Sequence, residues 1–125
     1  MSEKQIAKRV TKVLLGLEII PFCLPVPIHA TYGGKFNGYC AIPKGHPCFA
    51  LEYGEIYNKY DIDIHGGLTY LAIGTDLRNA PEKVKEMWIV GFDTLHSGDE
   101  GRWQTEQEVM VEVKRLKLQL EKINK

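Results

Sequence analysis

The chain has no surplus of charge. Sixteen Lys plus Arg face sixteen Asp plus Glu. A protein held mainly by phosphate backbones needs a basic excess, so composition argues against nucleic acid as a partner. Cysteine is scarce and odd in number, with Cys23, Cys40 and Cys48 at no short spacing. That excludes a small secreted disulfide framework and fits reduced thiols in a cytoplasmic setting. Serine occurs twice, as Ser2 and Ser97, and neither sits in a G-x-S-x-G elbow. No Walker loop or dinucleotide fingerprint is present. No run approaches the roughly 18 apolar residues of a membrane span. The opening "MSEKQIAKRV" lacks the apolar stretch and cleavage site of a signal peptide. A soluble protein with no membrane partner is expected.

What remains is an ordinary globular composition. The 125 residues are 44% hydrophobic and 26% charged, enough for one modest core and one domain, residues 1–125. Ile6, Val10, Val13, Leu14 and Leu17 form an apolar stripe at helical spacing, which predicts a helix over 1–18. Ser2 with Gln5 fits a capping box. Lys4, Lys8, Arg9 and Lys12 fall largely off the stripe and read as a solvated face. Pro21, Pro25 and Pro27 then allow only an extended connection or an edge strand, ending at Gly33–Gly34. Gly38 to Ile42 and Met87 to Phe92 read as short strands. "LEYGEIYNKY" has no clean period. "TDLRNAPEKVKE" reads as a loop with one helical turn started by Asn79 and Pro81.

The tail is the clearest helix, 104–124. Thr105 and Glu108 fit a capping box, and Val109, Val113, Leu116, Leu120 and Ile123 make a seam. Such a short seam more often docks on a sheet than forms a coiled coil, though it also offers a surface for a second copy or a host protein. The expected fold is α+β, a small mostly antiparallel sheet of three to four strands flanked by an N-terminal helix and a long C-terminal helix.

"DIDIHGGLTYLAIG" is the strongest strand signal. Ile62 and Ile64 point one way; Asp61, Asp63 and His65 point the other. On such a strand the Asp63 carboxylate can orient the His65 imidazole, and Gly66 and Gly67 leave room for a ligand. A polar solvent face ending in a Gly–Gly turn explains the same residues without function. In "GFDTLHSGD", Asp93 follows a strand, with His96 and Asp99 close behind, so the three can surround an ion or substrate. They match no standard zinc spacing, and turn-capping acids with an exposed histidine are the simpler alternative, so a divalent metal is not favoured. Lys44 and His46 on the "PKGHP" turn can receive an anion, or be a solvated turn. Cys40 or Cys48 beside His65 would be needed for a thiol nucleophile.

Three segments, "NGYCAIPKGHP", "DIDIHGGLTY" and "WIVGFDTLHSGD", occur here in order. Together they make the chain resemble a family of small, uncharacterised proteins of bacteriophage and prophage genomes. The family pattern has GHP, HGGLT(F/Y) and GFD-x-x-H-x-GD motifs, and the likeness covers 36–99. Its polar positions fall on His46, His65, Asp93, His96 and Asp99. Tyr70 stands where phenylalanine is usual, and Thr94–Leu95 where a Cys–Ala pair is often seen, which weakens a thiol role. The resemblance implies a phage-type cytosolic protein accessory to infection and supplies no mechanism.

Two uses of such a site are expected. One is a His/Asp pocket that binds a small polar, nucleotide-like ligand through His46, Lys44, Gly66, Gly67, Asp93, His96 and Asp99. The other is a small hydrolase with His65 as general base, oriented by Asp63, and Asp93, His96 and Asp99 holding a metal or the leaving group. A third role is an interaction module acting through the C-terminal helix.

Overall fold

The computed structural model describes residues 18–26, 33–94 and 101–123. The expected N-terminal helix, His29, His96 and Asp99 lie outside them. Among the described residues four strands form one sheet: β1 (Ile20–Pro25), β2 (Phe36–Ile42), β3 (Tyr70–Ile73) and β4 (Trp88–Phe92). Their order is β1-β2-β4-β3 and every pairing is antiparallel. β1 holds an edge, which is where a strand carrying Pro21 and Pro25 can sit without leaving a central ladder short of donors.

A short helix α1 (Tyr53–Lys59) precedes β3, and the long α2 (Glu106–Glu121) closes the fold. The α2 seam is consumed by the sheet. Val109, Val113, Leu116 and Leu120 are fully buried and pack with Cys40, Ile42, Val90 and Phe92 in one core. The approach of helix to strand is close. A Cβ on Gly38 would lie 2.5 Å from Val113 Cγ2 and 2.6 Å from the Phe92 ring. The other face of the sheet carries a second, smaller core of Tyr39, Ala41, Val84 and Ile89. Burial on both faces explains why "WIVGF" reads as an unbroken apolar run rather than an alternation.

Three details depart from expectation. The Thr105 hydroxyl accepts from Glu108 N at 3.1 Å as expected, but the Glu108 carboxylate takes the amide of Gln104 rather than Thr105. α1 has no apolar period because Ile56 is its single buried residue; the Glu52 amide donating to Glu55 secures its start.

The third concerns residues 61–64, which are not a sheet strand. Their alternation is real: Ile62 and Ile64 are buried and the aspartates exposed. Side chains of α2 do the work of a neighbouring strand. Gln119 accepts from Asp63 N at 2.7 Å and donates to Asp63 O at 2.8 Å. Glu112 accepts from His65 N at 2.8 Å. Backbone polar groups need partners, and an amide and a carboxylate at helical spacing supply them as well as a ladder would.

Candidate functional site

Both ring nitrogens of His46 have backbone partners. Cys48 N donates to its Nδ1 at 3.0 Å, so that nitrogen carries no proton. The proton is on Nε2, which donates to Leu120 O at 2.8 Å in the last turn of α2. The ring thus ties the turn after β2 to the end of the helix. Burial lowers its pKa from the ordinary 6.5, partly offset by the bond to Leu120. Lys44, two residues away, is exposed.

The other described histidine, His65, attaches farther back along α2. Ile64 to Gly67 is a turn closed by Gly67 N donating to Ile64 O at 2.9 Å. Gly66 and Gly67 have φ of 66° and 77°, the region that glycine enters without a Cβ penalty. The space beside Gly67 is taken by the Tyr57 hydroxyl, 3.1 Å from where a Cβ would be, which also accepts from Leu68 N. The His65 ring lies against Trp103 with centroids 4.6 Å apart, and its Nε2 is buried. Asp63 turns outward to Arg115 at 3.1 Å, and Arg115 also holds Glu112 at 3.0 Å. A chain of Asp63, Arg115, Glu112 and the His65 amide therefore fastens this segment to α2. These two carboxylates hold the Arg115 pKa above its usual value.

Asp93 follows β4, and its amide donates to Thr69 Oγ1 at 3.0 Å. Thr69 N in turn donates to Gly91 O at 2.8 Å. Next to it the chain is clasped. Gly34 N donates to Thr94 O at 2.7 Å, and Lys35 N donates to Trp103 O at 2.9 Å. Thr94 is fully buried, with its hydroxyl on Phe36 O and its amide on Asn37 Oδ1. Trp103 is buried at a φ of 59°, a conformation that a bulky residue adopts only when its surroundings impose it. A Cβ on Gly34 would collide with Thr94 and lie 2.5 Å from Trp103 Cβ. Glycine is required there because both ends of the 95–102 connection meet at that point. Arg102 stacks over the Trp103 ring at 4.8 Å, on the outer side.

The candidate residues thus divide. His65, Gly66, Gly67 and Asp93 gather at one end of the sheet, with the anchors of the segment that carries His96 and Asp99. His46 and Lys44 are at the other end. His65 and His46 attach to Glu112 and Leu120 of α2, which are eight residues or about 12 Å apart along the helix. The two residues thus anchor about two turns apart on α2.

The thiols are ill suited to nucleophilic work. Cys40 and Cys48 are fully buried, and burial pushes the Cys48 thiol up to about 11 and Cys40 higher still. All three cysteines are free. Among the described residues no group of three His, Cys, Asp or Glu is placed to hold a metal ion. The described helices include none long and apolar enough to cross a membrane.

Sequence reasoning missed Glu112, Arg115 and Gln119. Their spacing of three and four is visible as a polar row beside the seam, but nothing in it names the segment it faces. It did not foresee the close approach of Gly34 to Thr94 and Trp103, which depends on contacts distant in the chain. No family model, no curated protein and no solved structure matches the chain.

Proposed function

We propose that this is a phage-type cytosolic protein that binds a small polar, nucleotide-like ligand at the Asp93 end of the sheet. One observation carries the reading: the backbone clasp of Thr94 and Trp103 on Gly34–Lys35. A connection whose ends are pinned together by a rigid scaffold is the usual place for recognition residues. Asp93 stands at one foot of that connection and Arg102 at the other, with the Gly66–Gly67 turn beside them. His96 and Asp99 belong to the reading by their position in the sequence alone. Lys44 and His46 leave it, because the His46 ring is spent on backbone partners.

The hydrolase reading has less behind it. A general base must reach the proton it takes, whereas His65 Nε2 is buried and Asp63 faces Arg115. The C-terminal seam as an interface also loses ground, since its four central residues are already covered.

Calorimetry against a nucleotide panel tests the proposal, using Asp93→Asn, His96→Ala and, as a control, His46→Ala. Binding weakened by the first two and not by the control is the expected outcome. Binding indifferent to both Asp93→Asn and His96→Ala would remove the site.

A further inference from the structure

A concavity lies away from the clasp, between the start of β1 and the outer flank of α2, with a volume of about 700 Å³. That is within the ~300–1,000 Å³ of ordinary small-molecule sites. Its floor is aliphatic, built from Ile19, Ile20, Pro21 and Leu118, and Leu118 is 59% exposed although it is a large apolar side chain. Among the described residues its walls carry Lys83, Lys114 and Lys117 against one acid, Glu18. The cations come from two directions. Lys114 and Lys117 are three apart on α2, with Leu118 on the same flank, and Lys83 faces them from the short helical turn Glu82–Val84.

Lys117 is paired with Glu121 at 3.0 Å. Lys83 and Lys114 have no carboxylate partner among the described residues. Two ammonium groups with no carboxylate partner among the described residues thus stand beside an exposed aliphatic floor. An anion with an apolar body satisfies both parts at once.

We infer that this groove is a binding site for a small organic anion with an aliphatic body, its phosphate or carboxylate held by Lys83 and Lys114 and its hydrocarbon laid on Ile20, Pro21 and Leu118. The site is independent of the clasp: its lining shares no residue with it.

Octyl phosphate, kept below its micelle concentration, is the probe, read by amide shifts in ¹⁵N-labelled full-length protein. Inorganic phosphate and octyl glucoside are the matched controls, one lacking the tail and the other the charge. Octyl phosphate should shift Ile20, Lys114 and Leu118 and bind at least ~10-fold more tightly than either control. The double variant Lys83→Gln/Lys114→Gln, changed at two exposed side chains, should weaken it about 10-fold and flatten its salt dependence. Equal binding of octyl glucoside would overturn the role of the lysines, and equal binding of inorganic phosphate that of the floor. Unmoved groove resonances, or affinity only for anionic vesicles, would overturn the small-molecule site.

Discussion

Replacing His46 by alanine should destabilise the protein without touching its ligand. The ring makes two bonds, from Cys48 N and to Leu120 O. Leu120 O keeps a partner when the ring goes, because Ile123 N also donates to it. Cys48 N does not, and Cys48 is fully buried. One lost bond at about 1 kcal/mol and one orphaned amide at about 1–3 kcal/mol give a cost of about 2–4 kcal/mol. With a urea slope of about 1–3 kcal/mol per molar for a chain of this size, the midpoint should fall by about 1 M.

The cost should also depend on pH, with a definite sign. The folded pKa lies below the ordinary 6.5, so below about that pH the unfolded chain binds the proton first. Wild-type stability from this group is complete above 6.5 and is lost as pH falls through the folded value. A protonated ring has two donors, and its Nδ1–H would face the Cys48 amide. The alanine variant has no such contribution to lose. The gap in midpoint between the two proteins should therefore narrow from pH 7.5 to pH 5. Urea melts of both proteins at the two pH values decide it. An unchanged midpoint at pH 7.5, or a gap that widens on acidification, would refute the assignment of His46 as a neutral structural tie.

Other substitutions probe the clasp, the core and the surface. Gly34→Ala should cost about 1–3 kcal/mol by overpacking against Thr94 and Trp103, seen as a lower urea midpoint. Leu116→Ala, in the fully buried seam, should cost about 2–5 kcal/mol in the same assay. Asp63→Ala removes an ion pair whose aspartate is 83% exposed, so thermal melts should show a change below about 1 kcal/mol. In native protein at pH 8, a thiol reagent counted by mass spectrometry should leave Cys40 and Cys48 unmodified until denaturant is added.

Much of the fold is legible in the residues because it rests on local rules. Pro21 and Pro25 place β1 at an edge, the Val109–Leu120 spacing announces the docked helix, and Thr105 marks its start. The α+β class follows from them. The failures share a cause. "DIDI" has the period of a strand, yet periodicity reports which side chains are buried and not what pairs with the backbone. Here the partners are Gln119 and Glu112, more than forty residues away. "LEYGEIYNKY" hides a helix because one buried isoleucine cannot make a period. The site was half legible. Glycines 66 and 67 do mark a positive-φ turn, and Asp93 does end a strand, but the three-dimensional separation of His46 from His65 is fixed by where α2 runs. Gly34 looks like any turn glycine until Thr94 and Trp103 are seen to meet over it.

The claim on which the functional account turns is that recognition occurs at the clasped end of the sheet. Amide-resolved NMR during titration with the tightest nucleotide of the calorimetric panel measures this directly. The largest shifts should fall at Gly66, Gly67, Asp93, Thr94 and Arg102, with Lys44, His46 and Leu118 unmoved. Shifts centred on Lys44 and His46, or confined to Lys114 and Leu118, would contradict it.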